Sequence, residues 1–253
     1  RFHDISGFLR KVKPVGAVLE PQELSAFVPL FLMSGEISAV ISDREGLAHL
    51  GIYAKELKTY PEILTALLRS VDEEGNILDT ASHELSRLRK NINSLERRIQ
   101  MSLEVMMRSE NVSPFLQDKF VAKRAGRWVI PVRMDSKGMV RGVVHDVSRS
   151  GETAFVEPLD IIHPANELEN VVADAKAEEI KILREISSSI RAESEGIERQ
   201  HEIIIELDML YSIARFSSEM GMQIPLVEER RSINLIKARH PLLEIVLKQS
   251  GGT

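Results

Sequence analysis

The sequence predicts a mainly α fold: a helical core, a long antiparallel two-helix arm, and a small β-rich module at the arm's tip. Three observations predict it. Residues 120–158 form the only long β-like run, with Trp128, Val129, Ile130, Val132, Val143, Val144, Phe155 and Val156 in short bursts between turn-forming clusters. Helix-period sequence lies on both sides of that run. The tract before it starts beside core-like segments, and the tract after it ends in a strongly apolar stretch. Antiparallel pairing brings those two ends to one core.

Composition sets the bounds. A chain of 253 residues is long enough to bury a real core. Charged residues at 28% against 5% aromatics match a long-helix protein. The net charge of −5 excludes a globally basic nucleic-acid binder. There is no cysteine, hence no disulfide framework and no thiolate metal site, which fits a cytoplasmic origin. No signal-peptide pattern opens the chain, and no apolar run is read as approaching the ~20 residues that span a bilayer. No membrane partner is expected. The chain begins at Arg1 rather than Met, which reads as a piece of a longer protein. Charge is uneven: residues 113–158 hold eight basic against five acidic residues, about +3, leaving about −8 elsewhere.

In chain order, residues 1–81 read as short helices, the first part of the core. Pro21 opens one at its first turn, and Pro29 bends or restarts the pattern. Ser42 and Glu45 have capping-box spacing. Pro61 opens a helix carrying Ile63, Leu64, Leu67 and Leu68. Val71 to Asp79, with Gly75 at its centre, reads as a tight hairpin. Asp79, Thr80 or Ser82 then caps the outgoing arm helix, 82–112. Leu85, Leu88, Ile92, Leu95 and Ile99 alternate three- and four-residue steps, a narrow seam for one or two partner helices. Met101, Val105, Met106 and Met107 near its end read as core filler. Asn111 to Pro114 stops the helix.

The β module, 113–160, has turns at Ala125-Gly126, Ser136 to Gly138 and Ser148 to Glu152. The return helix and core, 161–225, is expected to start near Pro164. Its stripe is Leu168, Val172, Ala175, Ile180, Leu183, Ile186 and Ile190, followed by an all-round apolar segment from Ile203 to Phe216 that belongs inside a core. Its acidic face suits the basic outgoing helix. An intermolecular coiled coil, making a dimerising scaffold, is the alternative. Ile233 to Ala238 reads as a strand.

Five collinear stretches then carry a resemblance: DEEGNILDTASHELSRLR (Asp72 to Arg89), RWVIPV (Arg127 to Val132), VHDVSRSGETAFVEP (Val144 to Pro158), ELDMLYSIA (Glu206 to Ala214) and ARHPLL (Ala238 to Leu243). Together they resemble the MutS family, and most closely its type II bacterial branch. The resemblance implies a helical core, a lever made of the two long helices, and a clamp at the lever's tip. It implies an ABC-type ATPase domain beyond, of which 226–253 is the start, using ATP and Mg and pairing the parent as a homodimer. It also implies action on branched or mismatched DNA with suppression of recombination, or a grip on collided ribosomes, and in many members a C-terminal nuclease domain. No GxxxxGK[ST] phosphate loop occurs here, so this stretch is expected to be non-catalytic and to hold no cofactor.

The chemistry-bearing residues fall in the β module. Lys123, Arg124, Arg127, Lys137, Arg141 and Arg149 lie on or near turns, where they can reach phosphates. No aromatic interleaving supports single-strand stacking. His145, Asp146, Ser148, Ser150, Gly151 and Glu157 have the makings of a metal or nucleophile site. Strand alternation, however, should send His145 and Asp146 to opposite faces, and no GxSxG elbow is present. These six read as a structural motif, with side chains bonding to backbone in a shaped turn. No catalytic or metal-ligating residue is assigned.

Overall fold

The computed structural model describes residues 3–42, 49–227, 229 and 231–249. The chain divides into two compact units, 1–198 and 199–253. The first unit opens with α1 (Ser6–Val12), α2 (Pro21–Ser25), α3 (Phe27–Ser42), α4 (Gly51–Glu56) and α5 (Pro61–Ser70). Pro21 and Pro61 each occupy a first-turn position, where the missing N–H costs nothing. Ala26 separates α2 from α3, so Pro29 falls in the first turn of its helix. A capping box forms at Glu20 and Glu23. The one expected at Ser42 and Glu45 lies outside the described residues.

One expectation is revised here. Pro21–Ser42 is a 22-residue stretch long and apolar enough to cross a bilayer by length and composition. A core helix passes the same test. Phe27, Leu30, Phe31 and Ser34 are buried, with the Phe31 ring 5.3 Å from that of Tyr60. Burial and the negative charge of Glu193 together hold the Tyr60 phenol above its ordinary pKa.

Val71 and Ile77 pair antiparallel in the expected hairpin, and the Asp72 carboxylate accepts from the Asn76 backbone (2.7 Å) and side chain (2.9 Å). Those bonds hold Asp72 below the usual carboxylate range. Ser82 then accepts from Leu85 N (2.9 Å), capping α6 (His83–Arg108).

After the sheet comes α7 (Leu159–Ala192), followed by α8 (Ser194–Glu219). α7 begins five residues before Pro164. That proline removes one helical bond, from the carbonyl of exposed Asp160, a loss water can make good. The return tract is also broken at Glu193, whose φ of −104° and ψ of 12° leave the helical region.

α6 and α7 pack antiparallel. Near the start of α6, Ser82 Oγ donates to Glu178 (2.8 Å) and Arg89 donates to Glu179 (2.8 Å). Near its end, Leu95, Ile99, Leu103 and Met107 share one core with Ile161, Ala165 and Leu168. The last third of α7 is held by the N-terminal helices. Leu19 N donates to Ser187 Oγ (2.9 Å), and Arg191 Nε donates to Val12 O (2.7 Å). The α7 stripe differs from expectation at one place: Ile182 is buried and Ile180 is half-exposed, because contact with α5 draws the buried face round the helix. Met101 and Val105 are 67% and 71% exposed and are not core filler, since they lie on the side of α6 opposite Ile99.

The β module is a four-stranded antiparallel sheet of β1 (Ala122–Arg124), β2 (Arg127–Arg133), β3 (Gly142–Val147) and β4 (Thr153–Pro158), ordered β1-β2-β4-β3. Ala125 and Gly126 both have positive φ (48° and 80°), as the tight β1–β2 turn requires. Ile130, Val132, Ala154 and Val156 on one face join the core of α6 and α7. A bulge at His145 interrupts the β3–β4 register.

In the second unit, Gly221 has φ of +60° after α8, and Arg239 donates to Met220 O (2.9 Å) just ahead of α9 (Pro241–Gln249). Two expectations fail there, the second in part. Residues 233–238 form no strand: Ile233, Leu235 and Ile236 are exposed and no described strand pairs with them. Of the Ile203 to Phe216 segment expected inside a core, Ile203 and Ile204 are buried, but Met209, Tyr211 and Ile213 stand more than half exposed.

Alanine at Ile182 should cost about 2–4 kcal/mol, the usual range for a buried truncation. Alanine at Ile180 should cost under about 1 kcal/mol. Urea unfolding of both variants checks the register of α7; equal losses would contradict it.

Candidate nucleic-acid interface

The site grows from the way β2 and β4 meet α7. β2 pairs with β4 from Ile130↔Val156 to Arg133↔Thr153, and Leu116 bridges to the other side of Val132. Both strands are therefore covered, and Val129, Ile130, Val132, Ala154 and Val156 are wholly buried. β4 hands directly to α7 at Pro158, with Leu159 N donating to Arg141 O (3.1 Å).

The six predicted cations separate into two groups. Three are engaged. Arg127, only 14% exposed, forks onto Glu157 (2.8 Å), reaches Glu169 (2.9 Å) and donates to Asn166 (2.9 Å). The Glu157 bond, its strongest influence, raises the Arg127 pKa further and outweighs the effect of burial. Lys123 pairs with Glu96 of α6 (2.9 Å) and sits 4.3 Å over the Trp128 ring. That indole packs against the shared core and is no open stacking platform. Arg124 stacks 4.7 Å from the Phe155 ring and lies 3.7 Å from Asp146.

The other three, Lys137, Arg141 and Arg149, are exposed, and no described carboxylate pairs with them. Lys119 joins this free group; its signal in the sequence was only its place in the basic module. Met134 N donates to Glu152 O (2.9 Å), so the loops bearing Lys137 and Arg149 leave the sheet from adjacent strand ends. The Arg149 loop sits at the end of β4 away from α7, about 20 Å from Pro158 at ~3.3 Å per residue; the loop bearing Lys137 starts at that end and returns to Pro158 at Arg141.

The structural motif is built as follows. Ser148 Oγ accepts from Thr153 N (3.1 Å) and contacts Ser150 Oγ (3.2 Å). Gly151, with φ of +74°, donates its N–H to Ser148 O (2.9 Å), a conformation that favours glycine. Asp146 accepts from Val147 N (2.8 Å). His145 Nε2 lies 2.7 Å from Glu157, whose side chain is 2% exposed. The bulge turns His145 to that carboxylate, which simple strand alternation does not anticipate. Gly142 is required beside it, because a Cβ there would overlap the Glu157 carbonyl. Sequence reasoning missed Asn166 and Glu169. Their i,i+3 spacing on α7 was the available signal for a shared partner. Among the described residues no group of three or more His, Asp or Glu could hold a metal.

No family model matches the chain. Curated relatives do. Proteins named Endonuclease MutS2 from a Geobacillus species and from Geobacillus thermodenitrificans are 31% and 34% identical to it over 245 residues, 95% of the chain. One of the same name from Listeria monocytogenes is 38% identical over 195 residues, 77% of the chain. The chain is related to the type II MutS family. It spans about a third of the length of the first two relatives, 31% of each, and a quarter of the Listeria one, 25%.

Replacing Arg127 with methionine in this MutS2 relative leaves Glu157 buried beside a single histidine. Removing one partner of a buried pair should cost about 3–5 kcal/mol. Chemical denaturation of Arg127→Met measures it; a loss below ~1 kcal/mol would show the pair to be dispensable.

Proposed function

We propose that this chain is the core, lever and clamp portion of a MutS-like ATPase, with the sheet as the clamp and α6 and α7 as the lever. The clamp grips the phosphate backbone of branched or mismatched DNA, and the lever couples that grip to nucleotide state in an ATPase domain. On this reading the chain itself is non-catalytic. ATP and Mg belong to the ATPase domain, the parent dimerises through that domain, and it acts to suppress recombination. The observation that carries the reading is the group of exposed cations without a described carboxylate partner, Lys137 and Arg149 above all, on two loops that leave the sheet from adjacent strand ends. Three features support the lever. One apolar seam holds α6 to α7, one end of the pair is held by the N-terminal helices, and the other is held by the sheet.

Duplex grip through phosphates is salt-dependent, with a log–log slope of about −0.9 per contact. Charge reversal at Lys137 and Arg149 together should flatten the slope for a four-way DNA junction by about 1.8 and weaken binding at low salt by at least about tenfold. Arg133→Gln, which removes a cation already paired with Asp135 (2.7 Å), should change neither. Anisotropy titrations at several salt concentrations test this. No junction binding even at low salt would remove the clamp reading. Binding to collided ribosomes in place of junctions would transfer the same grip to a ribosomal partner.

A further inference from the structure

The outer face of α6 is not used by the fold or by the proposed clamp. Lys90, Ser94, Arg97, Arg98, Met101, Val105 and Arg108 follow one another at helical spacing on the side opposite Ile99. The stripe from Lys90 to Arg108 is about 27 Å long at ~1.5 Å per residue. All seven residues are exposed. Among the described residues no carboxylate pairs with Lys90, Arg97, Arg98 or Arg108. Arg97 only donates to its own helix at Asn93 O (3.0 Å). Glu104, at the margin, accepts from Gln100 (3.1 Å).

We propose that this stripe docks an acidic amphipathic helix of another protein. The cations call for a partner rich in carboxylates. Met101 and Val105, a turn apart between Arg98 and Arg108, call for apolar side chains to cover them, and a flexible methionine suits an adaptable groove contact. Phosphate backbone has nothing to gain from two exposed apolar side chains at the centre of the contact. A second copy is a poor fit: its own stripe repels, and the outer face of α7 mixes Lys176, Lys181 and Arg184 with Glu167, Asp174 and Glu185. The opposite side of α6 already receives α7 through a single apolar seam, so a second helix on the free side repeats an arrangement this helix makes once.

The chain has no cysteine, so Ser94→Cys gives one site for a label or a crosslinker. The probe is a designed ~20-residue peptide with leucines at i and i+4 and glutamates on either side. Saturable anisotropy binding to the full chain, with crosslinking at position 94 but not at a Lys176→Cys control on α7, is expected. Met101→Glu combined with Val105→Glu should weaken binding by at least about tenfold, as loss of central contacts does. Arg97→Glu combined with Arg98→Glu should do the same. All four sites are exposed, so unchanged circular dichroism and melting are expected alongside. The Lys137 and Arg149 charge reversals should leave peptide binding unaltered, which separates this surface from the clamp. Four outcomes would overturn the proposal: no peptide binding, equal affinity for polyglutamate, junction DNA crosslinking at position 94, or concentration-dependent self-association abolished by the Met101 and Val105 changes.

Discussion

The seam between α6 and α7 is the constraint on which the first unit rests. Each helix offers a stripe only wide enough for one or two neighbours, so neither holds its place alone. Leu85, Leu88, Leu95, Ile99, Leu103 and Met107 run the whole length of α6, and α7 answers with Ile161, Ala165, Leu168 and Ala175. Because the seam is continuous, whatever fixes one end of the pair orients the other. The N-terminal helices fix one end through Ser187 and Arg191, and the sheet fixes the other through the core it shares with both helices.

The sheet is joined to that pair by more than apolar contact. Arg127 on β2 ties together Glu157 at the end of β4 and Asn166 and Glu169 on α7. A guanidinium fork satisfies several acceptors at once in fixed geometry. A displaced sheet would therefore strand a buried carboxylate. The same pairing explains why not every cation in a basic module is available to a ligand: Lys123 and Arg124 are likewise held, one by Glu96 and one by Phe155 and Asp146.

The architecture was largely legible because its signals are periodic and local. The α6 seam, the Ser82 cap, the hairpin at Gly75 and the turns of the sheet follow from spacing and turn chemistry. Other features depend on what lies across space. Ile182 rather than Ile180 is buried because α5 approaches that side of α7. Met101 and Val105 stay exposed because no described element covers them. Arg127 looks like any turn-adjacent cation until Glu169 is brought to it from 42 positions along the chain. Ile233 to Ala238 has strand composition but no strand to pair with among the described residues. In the basic module, sequence located the positive region and the structure divided its members into the bound and the free.

The free side of β3 leaves backbone amides and carbonyls open, with Val143, Val144 and Val147 each about 44% exposed beside them. An edge of that kind is a template for uncontrolled stacking between copies. The kink at His145 spoils it: the register slips there, the strand bends, and an incoming chain loses step after Gly142, Val143 and Val144. The histidine that anchors Glu157 thus also guards the rim of the sheet against aggregation.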